Sequence, residues 1–134
     1  GGQFLPIKKI ASGGELSRLM LTILSTLSAT KNLPTLIFDE IDTGVSGEVA
    51  AKMATEFSRI AKNIQIIVIT HLPQVAAKGN IHLHVGKENK EDKTVTFVKK
   101  LNQKERVVEL AKMISGEKIT DAAKKNAMNL LNIS

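Results

Sequence analysis

Two short apolar segments, each ending in polar residues, constrain the fold of this chain more than any other feature. Residues 35–38, Thr-Leu-Ile-Phe, run into the acidic pair Asp39 and Glu40. Residues 64–69 are almost all β-branched and run into a polar pair at 70–71. A nearly unbroken β-branched run is typical of a strand in a parallel sheet that helices cover on both faces. The sequence therefore predicts a short apolar strand at 35–38 and a strand buried on both faces at 64–69, with the polar residues at their ends.

A helix is predicted between the two strands. Over residues 47–62, apolar side chains recur at helical spacing and so share one face. These side chains are Val49, Met53, Phe57, Ile60 and Ala61. Strand, helix and strand in this order form a βαβ unit with parallel strands and a right-handed crossover. The carboxyl ends of the strands then meet at one edge of the sheet, which is where open α/β sheets bind their ligands.

The segments before the first strand continue this pattern. Residues 1–10 are interpreted as an edge strand or a lead-in. A helix is predicted over residues 15–30, and Ser12 and Glu15 have the Ser-x-x-Glu spacing of a capping box at its start. Its apolar stripe, which we expect to be buried, comprises Leu16, Leu19, Met20, Ile23, Leu24 and Leu27.

The last third of the chain predicts an antiparallel hairpin and two helices. Residues 81–85 and 94–98 alternate in polarity around a charged turn, which indicates a hairpin at a sheet edge. The first helix carries Val107, Leu110, Ala111 and Ile114, and the second, capped by Thr120, carries Ala123, Ala127, Leu130 and Leu131. The predicted fold is α/β, with a mainly parallel core sheet, flanking helices and an edge β-hairpin, in one domain over residues 1–134.

Composition excludes several classes of protein. The chain has no cysteine, which excludes disulfides and cysteine-ligated zinc. Phe, Trp and Tyr together are represented by 4 Phe, which weakens the case for a module that stacks bases on aromatic platforms. No apolar run approaches the roughly 20 residues that span a bilayer, and nothing resembles a signal peptide, so a soluble cytoplasmic protein is expected. The formal net charge of +6 permits an anionic partner. Because the chain begins with Gly1 rather than Met, we expect it to be a piece of a longer protein.

Four short segments could carry phosphate chemistry. At 11–15, paired glycines precede a helix whose free N–H groups and dipole attract anions, although a capped helix with a flexible entry is the more ordinary interpretation. Asp39 could hold a hydrated Mg²⁺ and Glu40 could accept a proton from an attacking water, although acids often simply end a strand in solvent. His71 could hydrogen-bond a terminal phosphate or be only a polar terminus. The segment 42–47 is, on its own, only a loop.

Other polar residues favour ordinary interpretations. His82 and His84 share one strand face and could bind a metal, but no third ligand is identifiable, so an exposed polar face is favoured. The lysine pairs at 99–100 and 124–125 are most simply solvated surface, with DNA contact as the minority interpretation. No stretch fits the phosphate loop Gly-x-x-x-x-Gly-Lys-Ser/Thr, because the Gly-Lys at 86–87 is followed by an acid. The main phosphate cradle of a nucleotide site is therefore absent from the sequence.

Taken in order, these segments resemble the C-terminal lobe of an ABC-type ATPase head. Residues 11–15, Ala-Ser-Gly-Gly-Glu, are similar to its signature motif. Residues 36–40, Leu-Ile-Phe-Asp-Glu, are similar to Walker B with its catalytic glutamate. Asp42 and the residues after it match the D-loop, and His71 matches the switch histidine.

Longer stretches resemble RecN-type bacterial DNA repair proteins. They are Ala-Ser-Gly-Gly-Glu-Leu-Ser-Arg at 11–18, Asp-Glu-Ile-Asp-Thr-Gly-Val-Ser-Gly at 39–47 and Thr-His-Leu-Pro-Gln-Val-Ala at 70–76. In SMC-like proteins an N-terminal lobe carries Walker A, and a long coiled coil separates it from the C-terminal lobe. The resemblance therefore implies that this chain begins after the coiled coil and does not hydrolyse ATP without the Walker A lobe.

The resemblance also implies a role for each site residue. Two heads would sandwich ATP, with the signature of one head contacting the γ-phosphate held by the other. The signature residues are Ser12, Gly13, Gly14 and Glu15. Asp39 would act on Mg²⁺ through water, Glu40 would position the attacking water, His71 would stabilise the γ-phosphate, and Asp42 would lie across the interface. The implied protein is a cytoplasmic, nucleoid-associated homodimer without a membrane partner, which acts on DNA in double-strand break repair and recombination.

Two other interpretations stay open. The chain could be the head lobe of a different SMC-like ATPase, such as one from a nuclease-associated repair complex. It could also be a non-catalytic module that binds DNA through its basic surface. The length of an upstream coiled coil distinguishes the first alternative, and a DNA affinity that falls steeply with salt distinguishes the second.

Overall fold

A computed structural model describes much of the chain in two compact units. The described residues are 19, 22–23, 26–27, 34–39, 41–42, 44–45, 47–90 and 93–133. The division falls between Val75 and Ala76, and each unit is described by itself. In these ranges no helix combines the length and apolar character needed to cross a membrane. The predicted lead-in at 1–10 lies outside the described residues, and a single head lobe over 1–134 stays a prediction.

The first unit contains the predicted strand–helix–strand arrangement. Strand β1 (Thr35–Asp39), helix α1 (Gly47–Ile60) and strand β2 (Gln65–Ile69) follow one another, and a short helix α2 (Pro73–Lys78), which was not predicted, begins after them. The two strands pair in parallel, with Thr35 opposite Gln65 and Asp39 opposite Ile69. The parallel pairing is thereby confirmed.

Helix α1 supplies the core of this unit. One face of the helix is buried, and it consists of Ala50, Met53, Ala54, Phe57 and Ile60. These side chains pack against partly buried residues of both strands, including Phe38 and Val68. The rings of Phe38 and Phe57 lie 5.2 Å apart between centroids, a favourable tilted contact. The opposite face carries surface pairs such as Lys52 with Glu48, so the amphipathic pattern orients the helix on the sheet.

The expectation that the second strand is buried on both faces is wrong, and one face of the first strand is exposed as well. Ile37, Ile67 and Ile69 are 66%, 43% and 51% exposed. Successive strand residues point to opposite faces, and α1 covers only the face that carries Phe38 and Val68. A β-branched run thus favours a strand without ensuring that each face has a cover.

The predicted helix at 15–30 is described at only a few positions. Residues 19, 22–23 and 26–27 are helical. Leu19 and Ile23 are 40% and 42% exposed, so the prediction of a buried stripe is wrong at these two positions. An apolar stripe gives a helix a face that can be covered, but only packing against other residues covers it.

The second unit contains the predicted hairpin and the two closing helices. Strands β3 (Leu83–Lys90) and β4 (Lys93–Lys100) are followed by helices α3 (Gln103–Ser115) and α4 (Asp121–Leu130). The strands pair antiparallel and form a two-stranded sheet of their own. Gly86 lies opposite Phe97, and a Cβ at this glycine would overlap the Phe97 ring. The core of the unit is formed by Ala77, Leu110, Ala111, Ala123 and Ala127.

Side chains cap the two closing helices. Asn102 accepts a hydrogen bond from Glu105 N at 3.0 Å, and Glu105 accepts in return from Asn102 N at 2.9 Å. The Lys99 ammonium and the backbone amide of Asn102 hold the pKa of Glu105 below its ordinary value. Thr120 accepts from Ala123 N at 3.1 Å, which confirms the predicted cap of α4.

Replacing Met53 by alanine is expected to lower the free energy of unfolding by about 2 to 5 kcal/mol, because Met53 is fully buried and the shorter side chain leaves a cavity. Urea denaturation followed by far-UV circular dichroism measures the change. Lys52→Ala, on the exposed face of the same helix, is the control and is expected to change stability by at most about 0.5 kcal/mol. Equal losses in the two variants would contradict the assigned orientation of α1.

Candidate functional site

The carboxyl edge of the parallel sheet brings two of the predicted site residues together. Asp39 is the last residue of β1 and lies opposite Ile69, the last residue of β2. His71 follows Ile69 by two positions. Because the register is parallel, both side chains emerge at the same edge, and each is exposed. Their chemical roles stay predictions.

A buried carboxylate links the loops that leave the two strands. Asp42 is only 2% exposed. Its Oδ2 accepts a hydrogen bond from the Oγ1 hydroxyl of Thr70. Its Oδ1 lies 3.6 Å from Nδ1 of His71, and its backbone carbonyl accepts from Val45 N at 3.2 Å. Asp42 therefore ties the loop after β1 to the segment after β2.

Asp42 and His71 differ sharply in their exposure to solvent. The His71 side chain is 61% exposed, whereas the neighbouring Asp42 side chain is almost fully buried. The 3.6 Å separation of their nearest atoms exceeds hydrogen-bonding distance, and Asp42 Oδ1 has no hydrogen-bond partner among the described residues. The imidazole thus lies near a buried carboxyl group while most of its own surface remains accessible. This arrangement allows it to act on a group that approaches from solvent.

Thr70 is the residue that sequence reasoning missed. The sequence places a Thr-His pair at this strand end, but the resemblance assigns a role only to the histidine. Thr70 Oγ1 donates to Asp42 and also accepts from Leu72 N at 3.0 Å. A hydroxyl immediately before a candidate histidine was the available signal, but its acceptor could not be identified without the fold.

Five of the predicted site residues lie outside the described part of the chain. They are Ser12, Gly13, Gly14, Glu15 and Glu40. Their predicted roles at the signature and in Walker B therefore stay predictions. For Asp42, the side chain is turned toward Thr70 and His71 of its own chain, and the predicted position across a dimer interface also stays a prediction.

The oxygen donors at this edge suit a hard cation. Asp39 presents an exposed carboxylate, and Mg²⁺ prefers oxygen ligands while keeping several of its waters. Within the described ranges no group of three or more His, Cys, Asp or Glu residues could hold a metal on its own. A magnesium ion bound here through the Asp39 carboxylate would therefore need further ligands from beyond these described residues, such as its substrate or water.

The histidines of the hairpin are placed differently from their prediction. His82 and His84 are half-buried, whereas the alternating residues Leu83 and Val85 are 54% and 64% exposed. The prediction of an exposed polar face is therefore wrong. His84 Nδ1 lies 3.1 Å from Oε1 of Glu109 on helix α3. A carboxylate partner lowers the cost of burying an imidazole, which explains why the polar face is the one turned inward.

Burial lowers the pKa of His82 below the ordinary histidine value of 6.5. The nearby Arg106 cation lowers it further, Glu109 opposes the shift, and His84 adds to it. Arg106 is held by backbone carbonyls, since its Nη2 donates to Ala77 O at 3.0 Å and to Gly79 O at 2.7 Å. His82 is therefore favoured in its neutral form.

The second unit is expected to lose stability as the pH falls through about 6.5. Because the pKa of His82 is lower in the folded chain, the unfolded chain binds the proton more tightly, and acid favours unfolding. Urea denaturation at pH 7.5 and pH 5.5 measures this loss. His82→Asn, which cannot titrate, is expected to show a smaller loss, and an unchanged pH dependence in that variant would refute the assignment.

Comparisons with known proteins identify relatives along nearly the whole chain. The chain is 47% identical over 125 residues to "DNA repair protein RecN" of Bacillus subtilis (strain 168), covering 93% of this chain and 22% of that protein. It is 50% identical over 127 residues to RecN of Rickettsia conorii, covering 95% of this chain and 23% of that protein. For RecN of Vibrio cholerae the identity is 43% over 131 residues, which cover 98% of this chain and 24% of that protein. The chain thus spans about a quarter of the length of these curated relatives. No protein-family profile matches it.

A solved structure shares the fold. It comes from work on ATP-driven dimerization and DNA-stimulated activation of SMC ATPases, and it is matched with a TM-score of 0.63 at 19% identity, over 88% of this chain and 70% of that one. Identity this low establishes the fold alone. The α/β fold predicted from the sequence is confirmed.

Proposed function

Since the chain is a RecN-type sequence that corresponds to about a quarter of those proteins, we propose that it forms part of an ATP-hydrolysing head in a DNA repair protein. One observation supports this most directly. The parallel register of β1 and β2 brings Asp39 and His71 to one edge of the sheet, where the proposed reaction needs a magnesium ligand beside a phosphate-binding group.

Each residue at this edge then has a chemical task. Bound Mg²⁺-ATP supplies the phosphoanhydride to be cleaved and the metal charge that neutralises its phosphates. Asp39 offers a carboxylate to the metal through water. Glu40 orients the attacking water and accepts its proton. The Nδ1 side of the His71 ring faces Asp42, and in this proposal the Nε2 side of the ring contacts the terminal phosphate.

The remaining contacts to ATP would come from outside this edge of the sheet. We propose that the signature residues 12–15 bind the γ-phosphate held by a second head, so that ATP joins two heads and hydrolysis releases them. The phosphate loop missing from the sequence would come from the Walker A lobe of the same protein. Support comes from the SMC-type fold and from a net charge of +6 that suits an anionic partner such as DNA. The proposed setting is the bacterial cytoplasm, in double-strand break repair and recombination.

Glu40→Gln in the full-length protein is expected to lower kcat for ATP hydrolysis by about 10²- to 10⁴-fold, because an amide cannot accept the proton of the attacking water. Nucleotide binding is expected to persist, since the amide leaves the phosphate contacts in place. A coupled ATPase assay measures turnover, and a fluorescent ATP analogue measures binding.

The matched control is Glu48→Gln, an acid-to-amide change at a surface residue of α1 whose side chain is 80% exposed and pairs with Lys52. This variant is expected to turn over ATP at the wild-type rate. Unchanged turnover in Glu40→Gln would contradict the proposed role of Glu40. DNA binding that is independent of nucleotide and falls steeply with salt, without any hydrolysis, would favour the basic binding module instead.

A further inference from the structure

We infer that Thr70 is a positioning residue, whose hydroxyl holds His71 at the orientation that ATP hydrolysis requires. This inference rests on the proposed function. It concerns a residue that touches neither metal nor nucleotide in that proposal and that acts through its neighbour.

The hydroxyl of Thr70 is engaged in both directions. It donates to the Asp42 carboxylate and accepts from Leu72 N at 3.0 Å. Thr70 and Leu72 flank His71 along the chain, so the hydrogen bond from Leu72 N to the Thr70 hydroxyl closes the backbone of the histidine into a side-chain-to-backbone turn. Without the hydroxyl, that turn loses its bridging acceptor.

Burial makes the Asp42 end of this link costly to break. Asp42 is 2% exposed, and its Oδ1 has no hydrogen-bond partner among the described residues. Among the described residues, the side-chain donor to this buried carboxylate is therefore the Thr70 hydroxyl. A buried carboxylate that loses its donor is strongly destabilised and moves toward another donor or water. Either movement would displace Asp42 from Nδ1 of His71, now 3.6 Å away.

The exposure of His71 explains why such a link is needed. Its side chain is 61% exposed, so packing restrains the ring only weakly. In the described part of the chain, the contacts that can orient it are the turn formed by Thr70 and Leu72 and the nearby carboxylate of Asp42. Catalysis depends on placement to within a fraction of an ångström, and a displacement of about 1 Å can cost a hundredfold in rate.

The test is Thr70→Val in the full-length protein, which removes the hydroxyl at nearly constant volume. We expect kcat for ATP hydrolysis to fall about 10- to 100-fold with KM for ATP changed less than about threefold, because a positioning defect affects the reacting geometry more than binding. Thr70→Ser, which keeps the hydroxyl, is expected to restore most of kcat. Thr55→Val removes a hydroxyl that bonds Ala51 O on the exposed face of α1, and it is the control expected to leave turnover unchanged.

A double variant distinguishes a positioning role of Thr70 from a general loss of stability. In His71→Ala protein, Thr70→Val is expected to cause no further loss of kcat, because Thr70 acts through the missing imidazole. A further tenfold loss there, or wild-type kcat in Thr70→Val alone, would overturn the inference. If Thr70→Val does not fold, Thr70→Cys, whose thiol is a weak donor, carries the same expectation. If His71→Ala itself hydrolyses ATP at the wild-type rate, the proposed function fails at His71, which is a different result from failure at Thr70.

Discussion

The parallel pairing of β1 with β2 is the constraint on which the candidate site depends. With Asp39 opposite Ile69, the polar residues that follow each strand emerge at one edge of the sheet. Helix α1 supports this pairing from one side, because its buried face packs on side chains from both strands. A shift of one residue would turn the strand residues to the opposite face and would remove that packing. The apolar core and the location of the polar edge are therefore consequences of one register.

At that edge, a buried carboxylate lies next to an exposed imidazole. Asp42 is withdrawn from solvent and joined to Thr70, while the neighbouring His71 remains largely accessible. Burying a carboxylate costs free energy unless donors reach it, so its presence beneath an exposed imidazole calls for a functional explanation as well as a structural one. We propose that orientation of the imidazole is that functional explanation.

The second unit shows how polar partners can reverse a simple pattern. Its hairpin alternates apolar and polar residues as predicted, yet His84 faces inward and Val85 is 64% exposed. Glu109 on α3 offers the buried imidazole a carboxylate, and the Phe97 ring lies 5.9 Å away between centroids. Alternation identifies the two faces of a strand, whereas the neighbours brought by the fold decide which face is buried.

By itself the sequence determined the Thr120 cap, the two strand ends that lead to Asp39 and His71, and the order and type of the described strands and helices other than the short helix α2. Periodicity, capping and strand propensity are properties of neighbouring residues, so the sequence alone carries them. The tertiary structure alone decided which apolar faces are covered, why Ile37 is 66% exposed, and that the Thr70 hydroxyl meets Asp42, 28 residues away. Contacts over that separation depend on the strand register and on how the loops close, and no local pattern encodes either.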